Sequence, residues 1–154
     1  MSTNAIRLLE SAQAEFSVRT FDPGDGHLDA VEVADLIGVE HDRVFKTLVC
    51  EDPSDEHIVF VIPGPSDLDL KKAAEAAGVK RVRMLALSRL TEVTGYVRGG
   101  CSPVGMKRKL PTYIEESAEL FDSILVSAGA RGIQVEIEPH TLATIVEARF
   151  ADLV

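Results

Sequence analysis

The chain has 154 residues, 45% of them hydrophobic and 27% charged, with a formal net charge of −9. Its length and apolar share fit one domain spanning 1–154, with a core of its own. The acidic balance opposes a broad, non-specific nucleic-acid surface, so DNA is not an expected partner. Mean hydropathy is +0.09. No charge-free run reaches the length of a bilayer span, and Met1 to Arg7 show no basic-then-apolar leader. No membrane contact and a cytoplasmic location are therefore expected. Cys50 ends an apolar run and Cys101 lies among glycines; with no metal-ligand spacing, neither a disulfide framework nor a metal site is expected.

In chain order, Ile6, Leu8, Leu9 and Ala12 recur at near-helical spacing and predict an amphipathic helix over Thr3 to Ala14. Phe16 to Phe21 alternates as a strand does, and Asp22 to Gly26 is a loop. Asp29 is placed to cap a helix from Ala30 to Ile37, ended by Gly38. Val44 to Val49 and His57 to Ile62 read as a hairpin around the turn Glu51 to Asp55. Asp69 and Gly78 bracket a helix from Leu70 to Ala77. Val79 to Met84 is a short strand, and Ser88 to Val93 is helical. Beyond a glycine-rich stretch, Lys109 to Ile114 is extended. Phe121 to Val126 and Ile133 to Ile137 are strands joined by a turn of small residues, and Pro139 opens a last helix to about Ala148. Strands and short helices interspersed in this way predict an α+β domain on a mixed or largely antiparallel sheet.

Three features carry chemistry. Gly95 to Met106 holds four glycines, a proline and a serine in twelve residues, which excludes a regular helix or a central strand. Backbone amides in such a loop can approach a polar or anionic ligand. Lys46 shares a strand face with Val44 and Leu48, so its ammonium must emerge in a cleft, find partners or snorkel. The turn Ser127 to Gly132 is either an ordinary hairpin or a second pocket wall. The run Lys107-Arg108-Lys109, with Arg98 and Arg131, is a small basic patch in an acidic chain. The four histidines read as surface residues, and no Gly-x-Ser-x-Gly elbow is present.

These pieces occur together, in this order, in one family. Val44 to Leu48, Leu68 to Ala73, Thr94 to Gly105, Val126 to Gly132 and the ending Phe150 to Leu153 resemble the YbaK/EbsC-type aminoacyl-tRNA deacylases, relatives of the editing domain of prolyl-tRNA synthetase. The resemblance implies a barrel-like mixed sheet with flanking helices. It implies hydrolysis of the ester of a mischarged tRNA, cysteine on proline tRNA above all, without metal or organic cofactor. It makes Lys46 the essential lysine, with Thr47 beside it. Gly99, Gly100, Cys101 and Ser102 become the substrate loop, with Gly100 catalytic alongside Lys46. Ser127 and Gly129 form the opposing wall, and Phe21 and Gln134 shape the amino-acid pocket. Arg98, Lys107, Arg108 and Lys109 are expected to meet tRNA, with prolyl-tRNA synthetase as a partner. The chain departs from the family where Phe21 replaces a tyrosine, Gln134 an aspartate and Asp29 an aromatic. These departures bear on the amino acid removed, leaving alanine, serine and threonine as alternatives to cysteine. A non-catalytic tRNA-, nucleotide- or synthetase-binding module on the same fold is the other reading.

Overall fold

Helix starts follow local capping. In the computed structural model, which describes residues 2–154, α1 (Asn4–Ser11) opens on Thr3, whose hydroxyl accepts from the Ile6 N–H. It buries Ala5, Ile6 and Leu9 and leaves Leu8 exposed. After β1 (Phe16–Thr20), Asp29 and Glu32 form a reciprocal capping box on α2 (Ala30–Ile37), which Gly38 ends in the left-handed conformation. A short 3-10 turn leads into β2 (Phe45–Glu51) and β3 (His57–Pro63), the expected hairpin. Asp69 caps α3 (Leu70–Ala77) as expected. The strand expected over Val79 to Met84 contracts to β4 (Arg83–Met84), because only two of its residues reach β2. A 3-10 turn runs into α4 (Leu90–Thr94), and the glycine loop then leads to β5 (Thr112–Glu115). β6 (Ile124–Ser127) starts later than expected and pairs with β7 (Ile133–Ile137). α5 (Pro139–Val146) begins on its proline, and the chain ends with β8 (Arg149–Ala151), a strand without a local sequence signature.

The strands form two sheets. The smaller, ordered β1-β7-β6, is antiparallel throughout. The larger, ordered β4-β2-β3-β5-β8, is antiparallel up to β3 and parallel beyond it. A single parallel bridge, Val44 to Leu125, joins them into a barrel-like body. Apolar residues of both sheets meet between them: Phe45, Val49, Val59 and Val61 against Ile124, Val126, Val135 and Ile137, closed by Leu9 and Leu142. Ile58, Phe60 and Ile62 turn the other way, onto Ala73 and Ala74 of α3. Burying each such large side chain contributes about 1.5–3 kcal/mol. Val33 and Ala34 of α2 pack over Val44 and Leu125, so this helix covers the join between the sheets. No helix among the described residues is long and apolar enough to cross a membrane.

Candidate active site

The site lies where β2 runs out of partners. Gly64 donates its N–H to the Val44 carbonyl at 2.8 Å. In an antiparallel ladder that alternation turns the backbone groups of 44, 46 and 48 toward β3 and those of 45, 47 and 49 away from it. At one end of this free edge the Val49 carbonyl accepts from the Leu85 N–H, and at the other Val44 bridges to Leu125. Between them Thr47, paired with Val61 of β3 on the other side, has no partner strand on this edge. The gap opens into a cavity of about 480 Å³, open to solvent, whose walls are β2, the start of α2, the glycine loop and the β6–β7 pair.

Lys46 lies on the face of β2 that alternation assigns to it. Its ammonium does not enter the core; it donates to the Gly64 carbonyl at 3.0 Å and lines the cavity. An ammonium carries three donors, so two remain for a ligand. Gly64 is glycine for a steric reason: a Cβ there would lie 2.4 Å from the Ala30 Cβ. Its absence lets the start of α2 close on the end of β3 and sets the carbonyl that orients Lys46.

The glycine loop is pinned from behind. Thr94 donates its hydroxyl to the Leu90 carbonyl and accepts from the Tyr96 N–H at 3.0 Å. The Tyr96 hydroxyl donates to the Val104 carbonyl at 2.7 Å, while its ring covers Gly129, where a Cβ would meet it at 2.9 Å. Gly100 touches the second loop so closely that a Cβ would lie 3.0 Å from the Ala130 Cα. Its N–H closes a turn onto the Val97 carbonyl at 2.9 Å. The amides of Gly99 and Cys101, residues that line the cavity, donate to no backbone group among the described residues. Burial pushes the Cys101 thiol up to about 11, so near neutrality it is a neutral lining group and not a thiolate nucleophile.

Lys46, Thr47, Arg98, Gly99, Cys101, Ser127 and Gln134 are thus brought to one cavity. Others are not. Gly100, expected to be catalytic, is not among the residues lining the cavity, and its N–H is engaged by the Val97 carbonyl. Ser102 is fully buried and its hydroxyl accepts from the Val104 N–H; Gly129 is the seat of Tyr96. Phe21 packs on the α2 cluster and is not among the residues lining the cavity. Lys107 donates to the Glu92 carbonyl, and Lys109 pairs with Glu147. Arg108 and Lys109 border a separate hollow of about 210 Å³ beside Leu8 and Ile145, so the basic run does not rim the active cavity. Arg131 is no free cation: its guanidinium donates to the carbonyls of Pro23, Gly24 and Gly26 and ties that loop down.

Sequence reasoning missed Gly64, although Pro63-Gly64-Pro65 directly after a strand marks a backbone constraint. It also missed His27, which sits at the cavity mouth, and it read His57 as a surface residue. The His57 side chain is largely buried, its Nε2 3.6 Å from Glu51. Thr47 Oγ1 and Gln134 Oε1, buried atoms of two residues that line the cavity, have no hydrogen-bond partner among the described residues.

The model of the aminoacyl-tRNA editing domain family matches residues 26–145. The chain is 44% identical to EbsC of Enterococcus faecalis, provisionally named a Cys-tRNA(Pro)/Cys-tRNA(Cys) deacylase, over 98% of this chain and 92% of that protein. It is 29% identical to a proline–tRNA ligase of Shouchella clausii over 66% of this chain and 18% of the ligase. A solved structure provisionally described as a trans-editing enzyme for prolyl-tRNA synthetase superposes with a TM-score of 0.84 at 25% identity, covering 99% of this chain and 98% of the other. With one cavity gathering the lysine and both small-residue loops, and these matches running along nearly the whole chain, the protein belongs to the aminoacyl-tRNA editing domain family.

Proposed function

We propose that this protein is a free-standing deacylase that hydrolyses the ester between a wrongly attached amino acid and the 3′ end of a tRNA in the cytoplasm. Cysteinyl-tRNA(Pro) is the favoured substrate, with alanyl-, seryl- and threonyl-tRNA as the alternatives. The observation that carries this reading is the shared, solvent-open cavity of Lys46, Gly99, Cys101 and Ser127. The non-catalytic alternative fits a collapsed cleft better than this one.

An aminoacyl ester is already activated, so modest assistance suffices. The two free donors of Lys46 suit the phosphate of the terminal adenosine or another substrate oxygen, through charge-assisted hydrogen bonds. Arg98, exposed at the rim and in no ion pair among the described residues, adds a second cation. The unengaged amides of Gly99 and Cys101 suit the ester carbonyl as negative charge develops on it. Water is one fitting nucleophile. A substrate thiol is the other: its sulfur bonds to the carbonyl carbon, the ester C–O bond breaks, and the proton leaves with the ribose oxygen. Neither route needs a nucleophile from the enzyme, in accord with the neutral Cys101. The net charge of −9 and the distance of the basic run from the cavity leave tRNA affinity to a partner, for which prolyl-tRNA synthetase is the candidate.

The test is a deacylation panel of Cys-, Ala-, Ser- and Thr-tRNA with wild-type protein and Lys46→Ala. Turnover of at least one substrate that disappears in the variant supports the assignment. A panel left intact by folded wild-type protein overturns it.

A further inference from the structure

We propose that Arg131 is a positioning residue for deacylation: it fastens the loop of residues 22–27 to the glycine loop and so sets the mouth by which the substrate end enters the cavity. The inference rests on the deacylase reading and deepens it, giving a role to a cation that the site description leaves without one. Arg131 is not among the residues lining the cavity, yet its side chain holds segments of two of its walls.

The loop is held at its ends and loose between them. Phe21 donates its N–H to the Gly132 carbonyl at 3.0 Å, and Leu28 packs on the α2 cluster. The span Asp22-Pro23-Gly24-Asp25-Gly26-His27 offers no large apolar side chain, and all of it but Pro23 is exposed. Its one internal hydrogen bond runs from the Gly24 N–H to the Asp22 carboxylate at 2.9 Å. Among the described residues, every hydrogen bond that reaches this span from elsewhere in the fold comes from one nitrogen of the Arg131 guanidinium. That nitrogen donates to the carbonyls of Pro23 at 3.1 Å, Gly24 at 3.4 Å and Gly26. A polar span with few buried contacts is the kind that opens when its hydrogen bonds are removed.

The stem of the same side chain rests on the glycine loop: a Cβ at Gly99 would stand 3.5 Å from the Arg131 Cγ, at van der Waals contact. The glycine loop does not depend on the guanidinium, because Thr94, Tyr96 and the turn of Gly100 onto Val97 pin it. Arg131 therefore brings a loose loop to a fixed wall. That loop runs straight into His27 and Leu28, which line the cavity as Gly99 does. A mouth already in place adds no ordering cost when substrate binds, whereas one that substrate must order lowers apparent affinity by the fraction of molecules in the competent state. Lys46 and the pinned glycine loop stay where they are, so loss of the guanidinium falls on binding and not on turnover of bound substrate.

The test compares wild type with Arg131→Met, which keeps a stem against Gly99 and loses the guanidinium, and with Arg131→Ala, which leaves room for guanidinium from solution. Two quantities are measured: steady-state deacylation of the aminoacyl-tRNA that wild type turns over, and calorimetric binding of 3′-deoxy-3′-alanylaminoadenosine, a non-hydrolysable amide of the substrate end. Both variants are expected to raise KM and the Kd of the amide about tenfold, as for a mouth in place about one-tenth of the time, with kcat within about twofold. Their melting temperatures should stay within about 4 °C of wild type, since the loop opens locally. Millimolar guanidinium chloride should return Arg131→Ala toward wild-type affinity, and sodium chloride at the same concentration should not. Unchanged KM and Kd in both variants overturn the proposal. A fall in kcat together with melting temperature that guanidinium does not repair shows a general structural role and also overturns it. If wild type binds the amide, Arg131→Ala loses it and guanidinium restores it, yet no aminoacyl-tRNA is hydrolysed, the positioning role stands and the deacylase reading falls.

Discussion

Two polar residues on one face of β7 are treated in opposite ways. Glu136 accepts from Arg19, Arg43 and Ser123, each at 2.7 Å, and Arg43 also donates to the Ser123 carbonyl. This closed network braces β1, the approach to β2 and the β6–β7 hairpin. Gln134, next but one along the strand, lines the cavity and leaves its buried oxygen without a partner among the described residues. Polarity on a buried sheet face does not by itself mark function. A saturated network holds the sheet together, and Gln134 takes no part in it.

The sharpest way to break this contrast is Lys46→Ala. It should lower kcat/KM for deacylation by about 10²–10³-fold, the scale for removing one preorganised donor. Its melting temperature should change little, because the variant loses a single half-buried bond to Gly64. Retained turnover in a quenched-flow or filter assay would detach the cavity from catalysis. Glu136→Ala should behave in reverse. Loss of hydrogen bonds to charged groups should cost about 2–3 kcal/mol in urea unfolding, with kcat/KM per folded molecule nearly unchanged.

The same network has a pH signature. The Ser123 hydroxyl, then the Arg43 and Arg19 guanidinium groups, hold the Glu136 carboxyl below its ordinary value of 4.5. A depressed folded-state value adds stability that is complete above that ordinary value and is lost as pH falls through the depressed one. The urea-midpoint advantage of wild type over Glu136→Gln should therefore shrink below about pH 4.5. An advantage independent of pH would show that the brace is steric.

Gly64→Ala probes the boundary between the two regimes. The new methyl collides with the Ala30 Cβ and should cost about 1–3 kcal/mol, as overpacking does. Turnover should fall as well, because the carbonyl that orients Lys46 moves. The smallest effect is expected from joint replacement of Lys107, Arg108 and Lys109 by alanine. Arg108 and Lys109 border the other hollow and Lys107 donates to the Glu92 carbonyl, so single-turnover deacylation should change by less than about threefold; a larger loss would mean that tRNA wraps round to reach them.

Much of this was legible in the sequence because the signals are local. Asp29, Asp69 and Pro139 mark helix starts through their own side chains, and Gly38 and Gly78 mark ends. Lys46 stood out as a charge on an apolar strand face, and the small residues around Gly99 and Ser127 announced close backbone approach. What escaped depends on contacts between distant segments. The role of Gly64 is set by Ala30 across the fold, and the withdrawal of the Gly100 amide by the turn onto Val97. Phe21 is taken up by the α2 cluster, and β8 pairs only with the parallel edge that β5 offers. Strand order is not written in alternation.

The burial of the thiols has a consequence for redox chemistry. With Cys101 raised to about 11, roughly one molecule in ten thousand carries a thiolate at pH 7. Cys50, raised to about 12, is more inert still. Disulfide exchange and peroxide oxidation proceed through the thiolate. A small thiol or disulfide that enters the cavity is therefore not covalently trapped by Cys101. Oxidative conditions that inactivate thiolate-dependent enzymes should leave this one working.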